Sequence, residues 1–134
     1  MRRYIVILGA VLASIFVAVP SSAWAGSPHF VAVSASTSGN TLTVSGKEAG
    51  LGNESQVHIV VTATAQCVNP GDHHPKAGNK ESFSTAGDFP VQNGKANFSL
   101  SVTATMSPNC SPPMTIVWTN IVVTDTTNGI SKSL

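Results

Sequence analysis

Residues 56–67, QVHIVVTATAQC, place an apolar or thiol side chain at every odd position: Val57, Ile59, Val61, Ala63, Ala65 and Cys67. The even positions are mostly polar. Successive side chains of a β-strand point to opposite faces, so this alternation specifies a strand with one buried face. The stretch also ends in one of only two cysteines in the chain. Residues 96–110 repeat the theme, with Val61-Thr62-Ala63-Thr64 ahead of Cys67 answered by Val102-Thr103-Ala104-Thr105 ahead of Cys110. The expectation is two core strands whose ends are stapled together, with the rest of the chain wrapped around them.

The N-terminus reads as an export signal. Arg2 and Arg3 precede an apolar run over residues 5–19, Pro20 breaks it, and Ala23-Trp24-Ala25 supplies a small-residue cleavage site. A run of fifteen residues is short for a membrane span, and no second apolar run follows. Residues 1–25 are therefore expected to be removed, leaving 26–134 as a single secreted domain of 109 residues with no membrane attachment. In an exported chain two cysteines are expected to pair, so Cys67 and Cys110 are assigned to one intramolecular disulfide.

Removing the signal takes both arginines with it. Five lysines then face six acids, a net charge of −1. A near-neutral chain without arginine argues against nucleic acid or an anionic membrane as the main partner. The mature aromatics are Phe30, Phe83, Phe89, Phe98 and Trp118, too few for a platform of stacked rings.

Other strands follow from the same period. Residues 29–36 carry Val31, Val33 and Ala35 on one face, but Phe30 and Ala32 interrupt the other. Ser38-Gly39-Asn40 is turn chemistry, and residues 41–46 put Leu42 and Val44 inward. KEAGLGN, residues 47–53, reads as a loop in which one or both of Gly50 and Gly52 supply positive φ, with Leu51 plugging one end of the core. Residues 68–80 hold two prolines and two glycines and exclude a regular element. Residues 81–85 and 89–92 suit short edge strands, because Pro90 is tolerated only at an edge. Asn93-Gly94 signals a tight turn. Residues 96–106 alternate without a fault, and residues 114–125 slip phase near Thr119-Asn120, where a bulge would reconcile the two halves. Residues 126–134 read as a polar tail. The sum is an all-β, immunoglobulin-like antiparallel β-sandwich of about seven strands. Trp118 lies after both cysteines, whereas the antibody hallmark places its tryptophan between them, so the likeness is architectural.

Candidate chemistry is sparse. Asp72-His73-His74 clusters potential ligands in one loop, with His29 and His58 elsewhere, but adjacent residues rarely converge on one ion. No Gly-x-Ser-x-Gly elbow is present, and no pair of acids sits at a telling spacing. The chain is read as non-catalytic, without a cofactor or metal. Lys47-Glu48 and Asn79-Lys80-Glu81 are charged clusters in loops, and loops at the end of a rigid sandwich commonly carry binding. Lys47, Glu48, Asn79 and Lys80 are thus the candidate partner-binding residues. The first strand is a further candidate, because an extended segment can pair with another chain's sheet edge.

Lys47-Glu48-Ala49-Gly50-Leu51-Gly52-Asn53, Ala63-Thr64-Ala65-Gln66-Cys67-Val68-Asn69, Pro75-Lys76-Ala77-Gly78-Asn79-Lys80 and Thr119-Asn120-Ile121-Val122-Val123-Thr124-Asp125 together resemble a group of small exported actinobacterial and fungal β-sandwich proteins. The match covers about residues 47–125 and is most specific in the first loop. Asp72-His73-His74 and Gly78 fall where the pattern varies. The resemblance implies no enzymatic activity. The chain is also similar to the small adaptor subunit of actinobacterial umbrella toxin particles, which implies another secreted protein as partner, contacted through loops or the N-terminal strand. The competing expectations are a free-standing secreted effector or inhibitor and an extracellular metal-binding protein.

Overall fold

The computed structural model describes residues 27–69, 80–107 and 109–134. The export signal, Asp72-His73-His74 and Asn79 lie outside the described residues. Seven strands form: β1 (His29–Ser38), β2 (Thr41–Ala49), β3 (Gln56–Val68), β4 (Lys80–Pro90), β5 (Ala96–Thr103), β6 (Thr115–Asp125) and β7 (Ile130–Ser133). They make two antiparallel sheets, β1-β2-β5 and β4-β3-β6-β7, closed by a Cys67–Cys110 disulfide. The protein is an all-β sandwich. An immunoglobulin constant-type domain keeps its fourth strand beside the fifth; here the fourth strand joins the opposite sheet.

The core is what the alternation in β3 dictates. Val57, Ile59, Val61, Ala63, Ala65 and Cys67 are all buried. They face Leu42 and Val44 from β2 and Phe98 and Leu100 from β5. The outer faces carry the Thr and Ser of the same strands, joined across strands by hydroxyl pairs such as Thr41–Thr103 and Thr43–Ser101, both 2.8 Å.

Several expectations are corrected. The staple joins the end of β3 to the segment that follows β5 rather than to the strand itself. β3 is central in one sheet, β5 is an edge of the other, and Cys110 lies in the segment between β5 and β6. The inward residues of β1 are Phe30 and Val33, not Val31, Val33 and Ala35, because a bulge between Val31 and Ser34 shifts the phase. Ala32 takes a φ of 52° there, and Val33 closes on Gly46, where an added Cβ would stand 2.9 Å from the Val33 Cα. The two short strands over residues 81–92 are one continuous strand, β4. It is an edge strand, as Pro90 requires, and Gly87 keeps the inward phase of Phe83, Thr85 and Phe89 without a side chain. Residues 126–134 are not a loose tail, since β7 pairs with Val122–Asp125 of β6. The bulge near Thr119-Asn120 is present: the β3–β6 register shifts there, and Asn120 has a φ of 51°.

Leu51 closes one end of the core, with Gly50 and Gly52 both at positive φ. Its N–H donates to the Gly94 carbonyl at 3.0 Å, which ties it to the Asn93-Gly94 turn. Leu51→Ala would leave a cavity under backbone that cannot collapse. It is expected to lower unfolding stability by about 2–4 kcal/mol in chemical denaturation.

Candidate functional site

β2 does not stop where the glycine-rich stretch begins. The inward phase Leu42, Val44, Gly46 continues to Glu48, and the strand ends only at Ala49. Lys47 is therefore a strand residue on the outer phase, half-buried, opposite Val31 and Asn97. Glu48 is fully buried and cannot contact a partner. This corrects its assignment to a surface patch.

Lys80 is removed from Lys47 as well. Lys47 shares a depression with Pro90, at one end of β4. Lys80 begins the same strand opposite Gln66. Ten residues at about 3.3 Å each put the two lysines roughly 33 Å apart in the strand direction. The expected four-residue patch is thus divided: Lys47 at one end, Lys80 at the other, Glu48 inside, and Asn79 beyond the described residues.

What gathers around Lys47 is a shallow depression of about 340 Å³ lined by Lys47, Pro90, Gln92, Asn93, Lys95 and Asn97. The Asn93-Gly94 turn builds it. Both residues take positive φ, and Gln92 and Lys95 exchange backbone hydrogen bonds of 2.8 and 3.0 Å, the geometry of a primed two-residue turn. Lys95 immediately precedes β5, and Asn97 within β5 pairs with Lys47. Among the described residues neither lysine is ion-paired. The Asn-Gly dipeptide was the sequence signal for Gln92 and Lys95; nothing in the sequence tied them to Lys47.

Below this end lies a pair of buried acids. Glu48 and Asp125 are both fully buried. Asp125 accepts from the Thr127 N–H at 2.8 Å, the Asn128 N–H at 3.1 Å and the Asn128 side-chain amide at 2.6 Å, which builds the β6–β7 turn. The same Asn128 amide donates to Glu54 at 3.1 Å. No donor reaches either oxygen of Glu48. Burial first, then a side-chain hydrogen bond to Asp125, then the charges of Asp125 and Glu54 push the Glu48 carboxyl up from 4.5 to about 9. Two acceptors face each other, so Glu48 keeps its proton at neutral pH and acts as the donor of the pair.

His58 lies on the outer phase of β3 and meets Asp88 across the strand pair at 2.8 Å. The His29 ring nitrogen lies 2.8 Å from the Ser27 carbonyl. Among the described residues no three His, Cys, Asp or Glu side chains are grouped to hold a metal ion.

A second recess, of about 500 Å³, opens between β1 and β6. Only the phase slip in β6 marks this region in the sequence.

Fold and site together define a small disulfide-closed sandwich with a polar, lysine-bearing end and an uncharged side cleft. Compared with protein-family models, curated proteins and solved structures, the chain matches none.

Proposed function

We propose that this protein is a secreted, non-catalytic protein-binding module that serves as an adaptor or structural subunit of an extracellular complex. The observation that carries the reading is the Lys47 depression. Two lysines that have no carboxylate partner among the described residues, and three amide side chains, are held on a rigid sandwich end by a primed turn. Such a surface suits a protein that presents carboxylates and backbone carbonyls. A disulfide-closed all-β fold is compatible with an extracellular location. The resemblance to small exported adaptor subunits agrees with the same reading.

The test is affinity purification of the tagged protein from native culture supernatant, followed by mass spectrometry. One or two stoichiometric secreted proteins are expected. A clean monomer would end the adaptor reading and favour a free-standing effector. With a partner in hand, Lys47→Glu combined with Lys95→Glu is expected to weaken binding at least tenfold, mainly through slower association at low salt. Lys80→Glu, at the far end of the sandwich, should leave binding within twofold of the parent. Equal effects of the two changes would remove the depression from the interface.

A further inference from the structure

The cleft between β1 and β6 lies beside a strand that is only half paired. β3 covers one edge of β6 from Thr115 to Asp125. On the other edge β7 covers Val122–Asp125 alone, and the pairing ends where the Leu134 N–H donates to the Ile121 carbonyl at 2.9 Å. Among the described residues no strand continues that line along residues 115–120 of β6. β1 is the edge of its own sheet, so its outer side is unpaired as well. Two free strand edges therefore border one cleft.

The side chains there are uncharged and mixed, with Ser36 and Thr37 polar and the others apolar. Ala35, Thr37 and Leu42 form one wall, and Ile116, Trp118 and Ile121 the other. None of the eight lining residues is charged. Val117 at the rim is 42% exposed, one of three large apolar side chains left so open. The Trp118 indole N–H is buried and has no acceptor. A buried N–H without a partner costs about 1–3 kcal/mol, and tryptophan normally finds one when buried.

We propose that this cleft accepts an extended, uncharged strand of a partner protein, which continues the line of β7 along residues 115–120 of β6 and packs against the Trp118 ring. Backbone groups along a free edge specify a strand, because only a strand satisfies them in series. The absence of charge in the lining specifies alternating apolar and small polar side chains. This surface is uncharged and lies toward the Cys67 end of the sandwich, away from the Lys47 depression. An adaptor with both could hold two proteins at once, so the assignment rests on the binding-module reading but uses a different face.

The test supplies the strand in cis. Six residues, Thr-Val-Thr-Val-Thr-Lys, are appended after Leu134, where the chain already points along β6. Linkage makes the effective concentration millimolar, so weak intrinsic affinity does not hide docking. The expected result is at least 100-fold slower hydrogen exchange for those amides of residues 115–120 that face away from β3, together with a shifted Trp118 indole N–H resonance. Unchanged exchange in the extended, folded chain overturns the proposal. So does the same protection in the unextended chain at rising concentration, which would make a second copy the occupant. With a native partner, a complex that leaves these amides unprotected overturns this assignment and leaves the binding-module reading standing. No native complex at all overturns both.

Discussion

Glu48→Gln is expected to stabilise the protein at pH 8.5 and to leave it nearly unchanged at pH 4.5. The folded state holds the Glu48 proton up to about pH 9, whereas the unfolded chain releases it near 4.5. Between these values the native state binds the extra proton. Stability is therefore greatest below pH 4.5 and falls as the pH rises toward 9, where the slope ends. A glutamine donates to Asp125 at every pH and has no proton to retain. Full linkage over the whole interval would give about 6 kcal/mol. The pair lies at the end of the sandwich, where solvent screening reduces this to a few kcal/mol. The check is guanidinium unfolding of both proteins at pH 5 and pH 8.5. A difference between them that does not grow with pH would show that Glu48 is ionised in the folded protein.

The second large effect is expected from Cys67→Ala with Cys110→Ala. The bridge spans 43 residues of chain, so its removal frees the unfolded ensemble by about 4 kcal/mol in the loop-entropy account. For a domain of this size that corresponds to a fall in Tm of roughly 15 °C. Cys67 is also buried, so the alanine adds a small packing loss. Calorimetry of the parent, the variant and the reduced parent should place the last two together. A loss under about 1 kcal/mol would mean that the reduced chain already keeps the two segments close.

The corrections share a pattern. The inward phase of β2 was readable through Leu42, Val44 and Gly46. It was cut short because Glu48 is charged and the glycines after it look like a loop. The proton on Glu48 is what permits an acid at an inward position, and that proton depends on Asp125, 77 residues further along the chain. β4 reads as two pieces in the sequence, and Gly87 lies in the gap between them. In the fold that gap faces Leu100 and the Phe89 ring, each 3.3 Å from where a Cβ would stand, so the strand continues under its neighbours. β7 has too little apolar content to register as a strand and exists because β6 offers it an edge.

The sequence by itself determined the fold class, the inward set of β3, the tight turn at Asn93-Gly94, the positive φ of Gly50 and Gly52, the bulge in β6 and the disulfide. Each of these rests on a local rule: side-chain period, turn chemistry, or the scarcity of cysteine. Tertiary structure alone decided that Lys47 and Lys80 stand at opposite ends, that Gln92 and Lys95 join Lys47, that Glu48 meets Asp125, and that half of β6 borders an open cleft. Those facts depend on which strands are neighbours. Neighbours are set by summed burial and pairing across the whole chain, which no local stretch of sequence encodes.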